Sequence, residues 1–180
     1  EGEAGARAGL EEHGRHHLPG HVRQSSLGLE LLFKARRGGE DQIERLVRHT
    51  ARKQKTELAF TVAEGLPAIH GDANQLEQVV LNLTMNALQA LEHGGRVELS
   101  LEAAGGGVRL RVADDGPGID PERRETIFHP FYTTKPSGTG LGLAVCKRIV
   151  EEHRGHLTAS GTESGGAAFL VWLPAHVSPA

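Results

Sequence analysis

The chain has 180 residues, a formal net charge of −3 at pH 7 and one cysteine. That length suits one domain with a short attached segment and is enough to bury a hydrophobic core. The nearly neutral charge argues against capture of nucleic acid or an anionic membrane surface, and a single cysteine excludes an internal disulfide. No apolar run approaches the ~18 residues of a membrane-spanning helix, so we expect a cytoplasmic domain, with any membrane anchor in sequence outside this chain.

The amino-terminal part predicts little regular structure. Residues 1–22 are rich in Gly, Ala, Arg and His, and Pro19-Gly20 interrupts any helix there. Apolar residues between Leu27 and Phe33 predict a short amphipathic helix that ends at Gly38-Gly39. We therefore expect four parts: a ragged or disordered leader at 1–22, a helical segment at 23–37, a main domain at 40–175 and a tail at 176–180.

The main domain mixes helical and strand patterns. Its periodicity predicts helices over about 40–54, 73–92 and 140–153, with a brief helix near 121–127. Alternating apolar residues predict strands at 58–62, 97–101, 108–112, 156–161 and 167–173. Asp72, with Gln75 three residues later, is typical of a helix start, and Gly105–Gly107 predicts a hairpin turn. This order of elements predicts an α+β fold, a two-layer sandwich whose mixed, mainly antiparallel sheet carries its helices on one face.

Two asparagines lie four residues apart on the predicted helix 73–92. Asn82 and Asn86 stack along one border of its apolar stripe, so they project from the rim of the core toward a neighbouring pocket. An amide oxygen is a suitable hard ligand for Mg²⁺. On the helix alone, the same pair also fits an ordinary solvent boundary.

A carboxylate follows directly after the strand at 108–112. Asp114 can accept the exocyclic amino proton of adenine, where guanine would present a carbonyl oxygen. Gly116 and Gly118 remove side chains, so that a base can lie against the backbone. Taken alone, Asp-Asp-Gly-Pro-Gly also fits a simple turn.

The long loop at 114–138 predicts a functional lid, because loops of this length are rare in compact domains without a role. Phe128 and Phe131 can pin the lid onto the body, while Thr133, Thr134 and Lys135 are candidates to meet a γ-phosphate. An exposed lysine also fits simple solvation.

Three glycines, Gly138, Gly140 and Gly142, lead from the lid into the next predicted helix. Glycine-rich backbone at a helix amino terminus offers amide hydrogens and a positive dipole end to phosphate, although it also fits a hinge. Combined with the asparagines and Asp114, these glycines predict an ATP site.

At this point the chain resembles the catalytic ATP-binding domain of sensor histidine kinases, a superfamily shared with DNA gyrase, the heat-shock chaperone ATPases and the mismatch-repair ATPases. Asn82–Asn86 is similar to the N box, Asp114–Gly118 to the G1 box, Phe128–Phe131 to the F box and Gly138–Gly142 to the G2 box. The sequences Asn-Ala-Leu-Gln-Ala and Phe-Tyr-Thr-Thr-Lys resemble those of the nitrogen-regulation type of histidine kinase.

The resemblance implies ATP and Mg²⁺ as cofactors and a Bergerat-type fold. It implies that Asn86 ligates Mg²⁺, that Asn82 holds the phosphate side, and that Asn82, Asn86 and Lys135 are catalytic. The lid from about Ile119 to Thr139 is expected to order over the nucleotide. The implied nucleotide-binding residues are Asn82, Asn86, Asp114, Gly116, Gly118, Ile119, Phe128, Thr133, Thr134, Lys135, Gly138, Thr139, Gly140, Leu141 and Gly142.

The implied reaction transfers the γ-phosphate to a histidine on a dimerisation domain, for relay to a response-regulator aspartate, in a protein that is a homodimer at full length. Hydrolytic relatives carry glutamate where this chain has Asn82, and an amide cannot act as a general base. Hydrolysis is therefore the weakest alternative.

The expected acceptor motif is absent from the leader, because His13, His16, His17 and His21 lack the acidic residue that follows an acceptor histidine. We read 23–37 as the remnant of a dimerisation hairpin whose acceptor helix lies elsewhere. Two further alternatives are an anti-sigma-type serine kinase and a nucleotide-gated binding module without transferase activity.

Overall fold

A computed structural model describes residues 42–91, 94–135 and 138–176. The predicted leader, the helical segment 23–37 and residues 177–180 lie outside the described residues. The helices are α1 (Gln42–Gln54), α2 (Ala73–Ala90) and α3 (Gly142–Glu152), and the strands are β1 (Thr56–Val62), β2 (Gly95–Ala104), β3 (Gly107–Asp114), β4 (His156–Gly161) and β5 (Ala167–Pro174). Within the described ranges, no helix is both long and apolar enough to cross a bilayer.

The five strands form one mixed sheet in the order β1-β2-β3-β5-β4. Only the β1–β2 pair is parallel, because α2 lies between them in the chain and carries it back to the same end of the sheet. The remaining neighbours are antiparallel: tight turns impose this on β2–β3 and β4–β5, and β5 also pairs antiparallel with β3. The predicted mainly antiparallel sandwich is therefore confirmed.

One face of the sheet forms the core with the helices. The register pairs Leu99 with Val112, and Leu110 with Val171, so apolar side chains from neighbouring strands fall on the same face. The buried stripe of α2 packs on this face and includes Val79 and Leu83, which are 1% and 0% exposed. α2 is thus fixed against the sheet with its other side free to border a cavity.

The predicted start of α2 is confirmed, whereas the predicted bounds of three other helical features differ from the structure. The Asp72 carboxylate accepts hydrogen bonds from the backbone N–H groups of Asn74 (2.8 Å) and Gln75 (3.1 Å), which confirms the predicted start of α2. α2 ends at Ala90, because Leu91 is already extended. The brief helix predicted near 121–127 is two 3-10 turns, Pro121–Arg123 and Thr126–Phe128.

The third difference is the start of α3, which begins at Gly142 rather than Gly140. Gly140 has φ +66°, and its carbonyl oxygen accepts a hydrogen bond from the N–H of Phe131 (2.9 Å). A residue with that conformation and partner cannot belong to the helix.

Candidate nucleotide-binding site

A cavity of about 680 Å³ lies between α2, the lid loop, the start of α3 and the ends of β3 and β5. Such a volume suits a ligand the size of a nucleotide. The structure brings most of the predicted site residues to its wall: Asn86, Asp114, Gly118, Ile119, Thr133, Thr134, Lys135, Gly138, Thr139, Gly140 and Gly142.

Asp114 supplies a buried carboxylate to this wall. It is 3% exposed, and its Oδ1 accepts hydrogen bonds from the backbone N–H groups of Gly116 (2.8 Å) and Ala167 (3.3 Å). Both bonds to the described residues end on Oδ1, which leaves Oδ2 to accept from a ligand. Burial raises the pKa of Asp114 above its usual value, and the two backbone N–H groups oppose that rise. A ligand amino group at Oδ2 would satisfy this costly buried acceptor.

Two glycines allow the β4–β5 turn to support the Asp114 loop. A Cβ at Gly166 would lie 1.8 Å from the Asp114 carbonyl oxygen, and a Cβ at Gly118 (φ +78°) would lie 2.4 Å from the Gly165 carbonyl oxygen. Neither position can accept a side chain without moving backbone. The turn therefore holds Asp114 through close backbone packing as well as through Ala167.

The lid is anchored by one of the two predicted phenylalanines. Phe128 is 5% exposed and meets the ring of Phe169 edge-on, with 6.4 Å between centroids. Phe131 is 76% exposed, so the prediction that its side chain pins the lid is wrong. Its left-handed backbone (φ +68°), held by the hydrogen bond to Gly140, turns the side chain outward.

Lys135 reaches across the cavity to α2. Its Nζ donates a hydrogen bond to Oε1 of Gln89 at 2.7 Å. Burial lowers the pKa of Lys135, and the negative charge of Asp114 opposes that effect. The backbone is fixed locally, because the Lys135 N–H donates to Thr133 Oγ1 (3.1 Å) and its carbonyl accepts from the Gly138 N–H (3.1 Å).

The two asparagines of α2 occupy different surroundings. Asn86 lines the cavity, whereas Asn82 does not; its side chain hydrogen-bonds the buried thiol of Cys146. Burial raises the pKa of that thiol to about 11, and the Asn82 hydrogen bond acts in the opposite direction. The phosphate-side role of Asn82 stays a prediction.

Three other predicted nucleotide-binding residues also lie off the cavity wall. Gly116 supports Asp114 through its N–H, Phe128 anchors the lid, and Leu141 is 39% exposed just before α3. Their predicted contacts with nucleotide remain untested.

A family model for histidine kinase-, DNA gyrase B- and HSP90-like ATPases matches residues 71–177, which contain the whole cavity. The chain belongs to this family. Over 133 residues it is 42% identical to the sensor histidine kinase ZraS of Escherichia coli O157:H7, covering 74% of this chain and 29% of that protein.

Two solved structures extend the likeness. The full-length ShkA structure in complex with AMPPNP superposes with a TM-score of 0.70 at 32% identity, covering 91% of this chain and 33% of that one. The structure of histidine kinase ThkA in complex with the response regulator protein TrrA gives a TM-score of 0.67 at 27% identity, covering 83% and 41%. The chain is therefore the ATP-binding catalytic domain of a sensor histidine kinase, and it spans less than half the length of these relatives. The nitrogen-regulation subtype stays a prediction.

Several residues at the wall of this kinase domain were not found by sequence reasoning. Gln89 follows Asn86 by three residues, so helical spacing alone places it on the same face. Ala167 and Phe169 share one face of β5 by alternation. Arg123 and Tyr132 carry no signal of this kind. The unpredicted wall residues are Gln89, Ala90, Asp120, Arg123, Ile127, Tyr132, Leu143, Ala167 and Phe169.

Proposed function

We propose that this domain binds ATP with Mg²⁺ and transfers the γ-phosphate to a histidine on a dimerisation domain. The observation that carries the proposal is the buried carboxylate of Asp114, whose Oδ1 is saturated by backbone donors while Oδ2 remains for a ligand. The exocyclic amino group of adenine is a donor of the required kind. The apolar side chains of Ile119 and Phe169 line the same cavity and suit the faces of a base.

The phosphates would extend from the base toward the lid and α3. Gly138, Gly140 and Gly142 line the cavity where α3 begins, so their backbone can approach an anion closely, aided by the helix dipole. Thr133 and Thr134 add hydroxyl groups to the same wall. This arrangement suits an extended triphosphate.

The residues present fit Mg²⁺ held mainly by its substrate. Mg²⁺ prefers oxygen ligands and commonly takes one or two from the protein and the rest from phosphates and water. The amide oxygen of Asn86, on the cavity wall, would hold it. The ion would supply charge neutralisation, while the side chains of the domain position and orient the triphosphate.

Transfer is favoured over hydrolysis because position 82 and the thiol next to it supply no general base. Asn82 is an amide, and the neighbouring Cys146 thiol stays protonated at neutral pH because burial raises its pKa to about 11. Neither group can remove a proton from water. The group that accepts the phosphate would therefore come from outside the cavity, on a histidine-bearing helical hairpin, and a response-regulator aspartate would receive it next.

The exposed lid would offer a surface to the helix that carries the acceptor histidine. Phe131 is exposed, on a backbone held by Gly140 and next in the chain to Tyr132 of the cavity wall. In the full-length homodimer, the acceptor helix would approach the γ-phosphate past this side chain.

The experiment is incubation of the chain with γ-phosphate-labelled ATP and Mg²⁺, with and without the dimerisation hairpin of the full-length protein. We expect ATP binding, and transfer of label to the hairpin in an acid-labile, base-stable form typical of phosphohistidine. An acid-stable label would favour a serine kinase. ATP binding with no transfer to the hairpin would favour the nucleotide-gated module, and no ATP binding would overturn the proposal.

A further inference from the structure

A side-chain hydrogen bond joins the lid to α2, from Lys135 Nζ to Gln89 Oε1, at 2.7 Å. Both residues line the cavity, and Gln89 lies one helical turn beyond Asn86. The turn formed by Thr133 and Gly138 fixes the backbone of Lys135, so the Gln89 contact decides where the ammonium lies.

The partner of the ammonium is neutral. An amide oxygen accepts the hydrogen bond without cancelling the positive charge, whereas a carboxylate would cancel it. None of the ion pairs among the described residues involves Lys135. The structure therefore places at the wall of the cavity an ammonium that has no ion-pair partner among the described residues, with the Asp114 carboxylate acting on it from a longer distance.

We propose that Gln89 is a positioning residue that holds the Lys135 ammonium at the cavity wall, where its remaining N–H groups bind a nucleotide phosphate. The proposal rests on the proposed ATP-binding function. The ammonium has three donors, so a phosphate oxygen can add a charge-assisted hydrogen bond while the Gln89 contact persists. Holding the lysine in advance reduces the side-chain entropy lost on binding.

The first test is a double-mutant cycle read by calorimetric affinity for ATP and for adenosine. Gln89→Leu is expected to lower the affinity for ATP about threefold, because part of the restraint on one side chain is lost. The affinity for adenosine is expected to stay the same. In a Lys135→Met background the same substitution is expected to change neither affinity, because there is no ammonium left to hold. An equal loss of ATP affinity in both backgrounds would overturn the proposal.

A charge variant sharpens the test. Gln89→Glu would form an ion pair with Lys135 and so cancel its positive charge. We therefore expect the affinity for ATP to fall about tenfold while the affinity for adenosine stays constant. Gln78→Glu adds the same charge at an exposed position on the same helix, away from the cavity, and is the matched control. A structural role for the contact alone would leave Gln89→Glu as good as wild type, and that result would overturn the proposal.

The second test needs no nucleotide. Acylation of Lys135 by an amine-selective reagent, followed by mass spectrometry, is expected to accelerate several-fold in Gln89→Leu, with the exposed Lys53 and Lys55 as internal references. An unchanged rate would show that Gln89 does not hold the ammonium, even if ATP binding stands. A wild-type chain that binds no ATP would instead remove the proposed function, so the two failures are distinct.

Discussion

The backbone N–H of Asp72 donates a hydrogen bond to Nε2 of His153 at 2.9 Å, joining the start of α2 to the end of α3. The other ring nitrogen, Nδ1, lies 2.7 Å from the Ile149 carbonyl oxygen, which can only accept. Nε2 therefore acts as the acceptor of this ring and Nδ1 as its donor. The contact ties together the ends of α2 and α3 that lie away from the cavity, whereas Asn86 and Gly142 line the cavity near the other ends of these helices.

Replacing that histidine is expected to destabilise the domain. His153→Ala removes the acceptor of the Asp72 N–H and the ring that packs on Gly71, so the free energy of unfolding should fall by about 1–2 kcal/mol. Urea denaturation measures this fall in the free energy of unfolding. His49→Ala, at an exposed position of α1, is the control and should change stability by less than about 0.5 kcal/mol. Equal losses in the two variants would contradict the role of the contact.

Asp114→Asn is expected to weaken the binding of adenine-containing ligands, whatever number of phosphates they carry. The variant keeps an oxygen for Gly116 and Ala167 but presents an amide where the ligand donates, so ATP, ADP and adenosine should each lose about 2 kcal/mol of binding free energy. Titration calorimetry measures this loss. Asp115→Asn, next door and exposed, should bind as wild type does. A loss confined to ATP would place Asp114 at the phosphates instead of the base.

Asp114→Asn, although it weakens nucleotide binding, is not expected to destabilise the ligand-free domain at neutral pH. Because burial raises the folded-state pKa of Asp114, its protonated form stabilises the fold at low pH, and that stabilisation is lost as pH rises through the folded-state pKa. Without ligand, Asp114→Asn should therefore be at least as stable as wild type at neutral pH. Its advantage should shrink as pH falls through the raised pKa. Urea denaturation across that range checks this, and a constant difference would contradict it.

The pattern of local contacts decides which features the sequence could predict. Alternation along the strands and the Asp72 cap are local, and both appear in the structure. The parallel β1–β2 pair and the support of Asp114 by Gly166 depend on which distant segments meet, so no local pattern encodes them. Phe131 was misassigned because its left-handed backbone follows from the bond to Gly140, nine residues later.

Asn82→Glu tests the preference for transfer over hydrolysis. Glutamate would supply a general base where wild type has only an amide, so release of inorganic phosphate from ATP should rise by at least about tenfold over a very low wild-type rate. Asn82→Gln has the same length without the base and should stay at the wild-type rate. Wild-type release at rates ordinary for ATPases would contradict the assignment of position 82.

Gly166→Ala tests whether the β4–β5 turn holds Asp114. The new Cβ would lie 1.8 Å from the Asp114 carbonyl oxygen, so the backbone must separate and the free energy of unfolding should fall by about 2–3 kcal/mol. The shift also moves the Ala167 N–H away from Oδ1. Adenosine affinity should therefore fall along with stability.

Gly142→Ala is the matched control, because a Cβ there meets nothing within 4 Å. Alanine suits the first position of α3, so its stability should equal or exceed that of wild type. Denaturation and adenosine titration of both variants separate the two effects. If Gly166→Ala lost stability but bound adenosine as wild type does, the turn would support the fold without orienting Asp114. Loss of both would tie the position of the adenine acceptor to a glycine more than fifty residues away in the chain.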